Sequence, residues 1–407
     1  MQIRPDEFGF LEQLQEQLPP GFDLEGTARA RGAFTRARGV KDVASLLRLA
    51  MAFGGCGMSL RETCAWAEAV GLAKLRDPSL LDRLCNAAPW LGDIVAALIS
   101  RQRVELPAKR WAGYRLRALD ATAICQPGAD RTSWRLHVGY DLATRQVDHV
   151  ELTDGRGGEN LQRLTYQPGE IVLADRIYAR AAHLRAVRQQ GADFIVRMGW
   201  NSLRLAHSDG RPFDLFAELG AQKRRKREVN VRAEGGLELR LVIWRKKRKQ
   251  AEAEQNRLLK NAKKRGTQVD PRTLEAAKYV MLLTSLPADI FPTLSVLAIY
   301  RFRWQIELAF KRMKSLAGLD ELAAKKTELA QAWIYARLIA FLLAERNAGD
   351  VPESPPSASR IKLQRGAKPL PLAPCKNGTG SNPRQHPRET AVARRSQRTS
   401  ANLQSLA

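Results

Sequence analysis

GYRLRALDATAIC, residues 113–125, places one aspartate, Asp120, inside an otherwise apolar, strand-like run. Leu116, Ala118, Leu119, Ala121, Ala123 and Ile124 supply the apolar positions, and the turn-forming PGADRTS segment follows. An aspartate is depleted in such a strand and costly to bury unless it is paired or binds a metal. Two further β-rich runs come next, WRLHVGYDLAT and QVDHVELTD, separated by the short turn ATRQ. The three read as an antiparallel meander.

Beyond the meander, GENLQRLTY reads as a short helix and EIVLADRIYA as an apolar strand ending at Asp175. AHLRAVRQQG is a helix closed by Gly191, and DFIVRM is another strand. The order β-β-β-α-β-α-β over residues 111–198 predicts a ribonuclease-H-like α/β core, a mixed sheet with helices packed on it. Residues 199–285 interrupt that core. They hold strand-like segments between cationic blocks in QKRRKREVNVRAEGGLELRLVIWRKKRK, a basic helix EAEQNRLLKNAKKR, and the strand KYVMLLTS. The core resumes over 286–347 with a long helix at 292–319 and a last apolar helix, ELAQAWIYARLIAFLLAERN.

Upstream, residues 1–110 form an all-α domain. KDVASLLRLAMAF carries apolar residues at helical spacing and ends at Gly54-Gly55, and Ser59 with Glu62 forms a capping box for the next helix. DPSLLDRLCNAAPWLGDIVAALIS adds further helix. A DNA-reading helix-turn-helix and a plain helical cap both fit this pattern. After Asn347 the chain becomes rich in Pro, Ser, Gly and Arg, and residues 348–407 read as a disordered tail.

The formal net charge of +25 over 407 residues favours a polyanionic partner, with nucleic acid first among candidates. The chain has no uninterrupted apolar run long enough to span a membrane, and MQIRPDEFGFLEQLQEQLPP lacks the apolar region of a secretion signal. Five cysteines without CxxC spacing argue against a zinc site or a disulfide framework and fit a reducing cytoplasm.

The resumed core opens with YRFRWQIELAFKRMK, residues 300–314. On a continuous helix, at about 100° per residue, Tyr300, Arg303, Trp304, Glu307, Lys311 and Lys314 share one face. Phe302, Ile306, Ala309, Met313 and Leu316 form an apolar stripe on the other. The ordinary reading is a solvated face with a Glu307–Lys311 pair. Asp120 and Asp175 also have ordinary readings: Asp120 as a partner to a neighbouring strand, Asp175 as a partner to Arg176 or a turn cap. Taken together, two strand-embedded aspartates and a helical glutamate in a basic protein fit another task. Carboxylates held close bind two Mg²⁺ (or Mn²⁺) ions, which serve phosphodiester chemistry. Asp141, Asp148, Asp154 and Glu159 compete for the role, but Asp141 lies beside a turn, and Asp154 and Glu159 in TDGRGGEN suit turn or cap positions better.

LDAT around Asp120, ADRIY around Asp175, and Tyr300-x2-Arg303-x3-Glu307-x6-Lys314 together resemble the DDE transposases of bacterial insertion sequences. The last pattern is similar to the Y-R-E-K signature of the insertion-sequence-four family. The likeness runs from about residue 40 to about residue 345. It implies a ribonuclease-H-like catalytic domain with a β-rich insertion at 199–285, and Asp120, Asp175 and Glu307 as metal-holding catalytic residues. It further implies that Tyr300, Arg303 and Lys314 grip phosphates of the transposon end, with Lys311 on the same face. Trp304 offers a stacking surface for an extruded base or packs at the helix–sheet seam. The family places an aromatic ahead of the strand equivalent to MLLTS, and Tyr279 lies near that place. In the insertion, Arg224, Arg225, Lys246 and Lys247 are expected on the DNA backbone. The implied partners are double-stranded DNA, at transposon ends and at a target, and a second protomer in a homodimer. The implied reaction is cut-and-paste transposition, by way of a hairpin. A structure-specific nuclease of the same fold and a transposase-derived DNA-binding regulator remain as alternatives. The family normally continues in helix where this chain turns Pro- and Arg-rich, a replacement that looks like translation in a shifted frame.

Overall fold

Capping side chains start three helices of the first hundred residues, and apolar positions at helical spacing bury them. The computed structural model describes residues 9–99, 113–129, 131–222, 224–315 and 317–347. Its first helices are α1 (Gly9–Gln17), α2 (Leu24–Ala30), α3 (Val43–Ala50, continued by a π turn over Met51–Gly55), α4 (Leu60–Ala69) and α5 (Asp77–Ile99). Asp23 caps α2 and Asp42 caps α3, while Ser59 and Glu62 form the capping box of α4. Residues 100–110 of the expected helical domain and the tail from residue 348 lie outside the described residues.

The meander follows as β1 (Arg115–Ile124), β2 (Trp134–Asp141) and β3 (Gln146–Asp154), each strand antiparallel to the next. The short helix after it is one 3₁₀ turn, Leu161–Arg163. Then come β4 (Glu170–Ala174), α6 (Ala181–Gln189) and β5 (Asp193–Arg197), with β4 parallel to both β1 and β5. The basic region contributes β6 (Leu205–His207), α7 (Leu215–Gly220), β7 (Lys226–Ala233), β8 (Leu237–Arg245), α8 (Arg248–Lys264), α9 (Pro271–Ala276) and β9 (Tyr279–Thr284). The described chain ends with α10 (Thr293–Tyr300), α11 (Trp304–Ser315) and α12 (Thr327–Asn347).

All nine strands among the described residues belong to one mixed sheet, in the order β3-β2-β1-β4-β5-β9-β8-β7-β6. The basic region therefore does not form a separate layer. Its last strand, β9, pairs antiparallel with β5 on one side and β8 on the other, which converts an edge of the α/β core into an interior position. Side chains alternate between two faces. Leu116 and Ala118 of β1 face a core shared with α3, α5, α11 and α12, whereas Leu119 faces one shared with α6 and α7.

α12 is the centre of the first core, and its Trp333, Ile334, Leu338 and Ile339 are buried. Gly54 allows its close approach, since a Cβ there would lie 2.6 Å from Ala336 Cβ. Thr327–Glu345 is long and apolar enough to cross a membrane by length and composition, but most of it is buried inside the protein as a core helix.

The long helix expected at 292–319 is broken. Arg301–Arg303 form a 3₁₀ turn between α10 and α11, with the Trp304 N–H reaching back to the Arg301 carbonyl. The tighter turn changes the phase of the helix. Ile306, Ala309 and Met313 are buried as expected, but Phe302 is exposed at 39%, so it does not belong to the stripe. On an unbroken helix Phe302 and Ile306, four residues apart, would have shared one face.

Candidate active site

Strand register brings the two aspartates together. The last paired positions of β1 and β4 are Leu119 and Ala174, and one residue further on each strand come Asp120 and Asp175. Adjacent strands lie ~4.8 Å apart, so the two side chains arise from neighbouring positions at the carboxyl end of β4. Asp120 has the parity of Leu116 and Ala118 and thus faces α11. Its Oδ1 accepts a hydrogen bond from the Ala121 N–H at 2.9 Å. Asp175 precedes a 3₁₀ turn (Arg176–Tyr178) in cap position, yet its side chain makes no cap hydrogen bond. Its Oδ1 is buried without a hydrogen-bond partner among the described residues. The ordinary reading of Asp175 as a turn cap thus fails on geometry.

From the other side, the 3₁₀ turn and the start of α11 supply the cationic partner. The Arg303 guanidinium lies 3.5 Å from Asp120 Oδ2 through Nη1 and pairs through Nη2 with Glu307 Oε1. Glu307 therefore pairs one turn back, with Arg303, and not one turn forward with Lys311. Its side chain stays 56% exposed, whereas Arg303 is 14% exposed. Arg303 also lies over the Tyr300 ring, 5.9 Å from its centroid. The Tyr300 hydroxyl donates to the Ala174 carbonyl at 3.3 Å, so it steadies the strand end beside Asp175. Trp304 is half-buried, with a buried Nε1 that has no hydrogen-bond partner among the described residues. Lys311 is exposed and Lys314 half-buried on the same helix.

Electrostatics follow from this placement. Burial raises the Asp120 carboxyl to about 6, against the opposing pull of the Ala121 N–H and of Arg303; Glu159 and Asp175 add to the rise. Glu159, assigned above to a turn, does not cap one. It is partly buried, lies 4.0 Å from Arg135 Nη1, and is raised by burial and by Asp175 despite that arginine. The carboxylate count at this sheet edge is thus larger than the sequence pattern indicated, and the spacing of Glu159 from Asp120 gives no periodic signal. Asp154 keeps its expected turn role, accepting from the Arg156 and Gly157 N–H groups at 3.0 Å each. Asp141 and Asp148 lie at the opposite end of β1, paired with Arg115 at 2.6 and 2.9 Å.

In the basic region, Arg224, Arg225 and Lys247 are exposed. The Arg225 guanidinium stacks 4.9 Å from the centroid of the Trp244 ring. Lys246 is turned inward, with its ammonium donating to the Ala277 carbonyl at 2.8 Å. Tyr279 is buried in β9 and donates to the Leu219 carbonyl at 3.3 Å.

Asp120 and Asp175 suit a hard divalent cation. Both offer oxygen, one bears an orphaned buried oxygen atom, and the other is destabilised as an anion by burial and by its neighbours. Glu307 stands apart from them, its carboxylate held by Arg303. Among the described residues no group of three His, Cys, Asp or Glu side chains is close enough to hold an ion.

Residues 111–343 match the family model described as "Transposase DDE domain". The chain is 42% identical over 334 residues to the transposase for insertion sequence element IS421 of Escherichia coli, covering 79% of this chain and 90% of that one. It is equally similar, at 42% over 333 residues and the same coverage, to InsL of the insertion sequence element IS186A from Escherichia coli (strain K12). A more distant relative is the transposase for IS231E of Bacillus thuringiensis subsp. finitimus, 24% identical over 380 residues, which are 82% of this chain and 78% of that one. The chain belongs to the DDE transposases of bacterial insertion sequences, in the insertion-sequence-four family, and is a polynucleotidyl transferase of DNA transposition.

Proposed function

We propose that Asp120, Asp175 and Glu307 are the catalytic carboxylates of a ribonuclease-H-like transposase that cuts DNA at the ends of its element and joins the freed ends to a target. The observation that carries this reading is the adjacency of Asp120 and Asp175 across the β1–β4 register, with Arg303 linking Asp120 to Glu307. The strand order β3-β2-β1-β4-β5 supports the ribonuclease-H-like reading of the core.

DDE transposases generally use divalent metal ions. Asp120 and Asp175 would hold such a cation, Mg²⁺ or Mn²⁺ in a two-ion arrangement, and Glu307 would complete the set on leaving Arg303. Bound there, it would polarise the scissile phosphate and neutralise charge on the leaving oxygen. The rest falls to the chain's own side chains. Arg303, already beside Asp120, is placed to exchange its carboxylate partners for a backbone phosphate of the bound end. Lys314 and Lys311, further along α11, continue that phosphate track. Tyr300 holds the end of β4 through its hydroxyl and carries Arg303 on its ring, so its role is to position both. Trp304, with an unsatisfied indole N–H, is the surface on which an extruded base would stack.

Five segments serve this reading: helices over 1–110 as a cap or DNA-binding unit, core over 111–198, basic insertion over 199–285, core over 286–347, and the tail beyond. Packing of α3 and α5 on α12 supports the cap role for the first. Two protomers would pair two element ends on double-stranded DNA.

A strand-transfer assay tests the reading. With Mg²⁺ and a duplex carrying the element's ends, the protein joins 3′-hydroxyl ends to a target duplex. Cleavage without joining would instead assign a structure-specific nuclease.

A further inference from the structure

α8 rests on the body through one narrow face, with Ala251 buried and Gln255, Leu258 and Ala262 half-buried. Of its residues only Ala251 is buried, and Leu259 is 47% exposed. Its first half is tied to the body. Gln255 Nε2 donates to the Leu274 carbonyl at 2.8 Å, while Glu252 and Glu254 pair within the helix, with Arg248 and Arg257 at 2.7 and 2.6 Å. The second half is different. From Gln255 to Val269 the chain has no carboxylate, while Arg257, Lys260, Lys263, Lys264 and Arg265 are all exposed. Lys260, Lys263, Lys264 and Arg265 make no ion pair among the described residues. Ala, Glu, Gln, Leu, Lys and Arg dominate α8, so intrinsic propensity adds to the little packing its narrow face supplies.

Two features argue that this projection serves something outside the chain. The packed face of α8 is narrow, and none of these five cations lies on it. The five cations span nine residues, ~12 Å of helix, in a protein already carrying +25. Lys263 and Lys264 in the last turn also suit the helix dipole, but Arg257 and Lys260 lie before that turn.

We propose that the distal half of α8 is a DNA-backbone arm: Lys260, Lys263, Lys264 and Arg265 contact phosphates of duplex DNA beyond the segment held at Asp120 and Asp175. The inference rests on the transposase reading but names a surface separate from the carboxylate site. Duplex DNA is the occupant because the arm is purely cationic at its tip and free of the aromatic platforms that single strands need.

The full chain, carrying the quadruple variant K260Q/K263Q/K264Q/R265Q, is compared with the unaltered protein. Binding to a labelled duplex of random sequence is followed by fluorescence anisotropy across a salt series. The variant is expected to lose about tenfold or more in affinity near 0.15 M salt, and its log K against log salt slope is expected to fall by about 3. Its thermal melting should not move. Unchanged affinity and slope overturn the arm. So does a drop in helicity or melting temperature with binding intact, which assigns the cations to the helix dipole, or a loss confined to single-stranded RNA. Failure of the unaltered protein to cleave with Mg²⁺, with the slope change present, would count against the carboxylate site and leave the arm standing.

Discussion

β1 and β4 carry a cluster of charges at each end, and the two clusters are built in opposite ways. At the amino ends, Arg115 reaches Asp141, Asp148 and Glu170 at 2.6, 2.9 and 2.9 Å, and Arg117 reaches Asp148 at 2.8 Å. Every carboxylate there has a guanidinium against it, and Arg117 also donates to the Thr165 carbonyl at 3.1 Å. At the carboxyl ends, Asp120 has Arg303 only at 3.5 Å and, among the described residues, Asp175 keeps a buried oxygen without a hydrogen-bond partner. The first cluster sets a guanidinium against each carboxylate and ties four strands, β1 to β4, together, although Asp148 Oδ1 and Glu170 Oε2 accept no hydrogen bond among the described residues. The second lacks that charge matching: Asp120 has one guanidinium at 3.5 Å and Asp175 has no ion pair among the described residues, the imbalance that the proposed cation site requires.

That difference has measurable consequences. The largest change in stability belongs to the amino ends. Arg115→Met leaves three buried carboxylates short of a partner and should cost about 3 to 5 kcal/mol in urea unfolding. A loss below about 1 kcal/mol would show that the network is slack. Next comes Asp120→Asn at the carboxyl ends, with the opposite sign. The Asp120 carboxyl is raised to about 6 by burial, above its unfolded value of about 4. The protein without metal therefore keeps this contribution fully below about pH 4 and loses it as pH rises through 6. In EDTA at pH 7.5 Asp120→Asn should unfold about 2 kcal/mol later than the unaltered chain, and at pH 4 the two should coincide. Parallel stability curves across that range would remove the electrostatic contrast between the two ends.

The smallest stability change is expected at Glu307. Its side chain is mostly exposed and its partner Arg303 retains Asp120, so Glu307→Gln should move stability by no more than about 0.5 kcal/mol. The same variant should lose Mg²⁺-dependent strand cleavage while binding DNA nearly as well. Cleavage at the unaltered rate would separate Glu307 from the chemistry.

Much of this contrast was legible in the sequence at single residues. Asp120 stood out because an apolar strand rejects an aspartate, and Asp175 because it terminates the apolar run IVLA. The meander and the β4-α6-β5 unit followed from turn residues and strand composition. What stayed hidden depended on longer-range geometry. YRFRWQIELAFKRMK has unbroken helical periodicity, yet the 3₁₀ turn at Arg301–Arg303 rotates Phe302 into solvent and Arg303 toward β1. The i→i+4 rule allows Glu307 either neighbour, and only the position of Asp120 selects Arg303 over Lys311. Glu159 looked like a turn residue because TDGRGGEN is turn-rich, and its nearness to Asp175 depends on how β3 returns to the sheet edge. Nor did the cationic blocks of 222–249 reveal that β9 continues the core sheet, since strand pairing across so long an interval leaves no periodic trace.

The central claim, that the under-neutralised end of β1 and β4 performs the chemistry, is tested most directly by Asp175→Asn. Single-turnover cleavage of a duplex carrying the element's end is measured with Mg²⁺, alongside DNA binding and urea unfolding. The account predicts a stability change within about 1 kcal/mol, binding within about twofold, and a fall in cleavage rate of at least about 10³-fold. A variant that folds, binds and still cleaves within tenfold of the unaltered rate would contradict it.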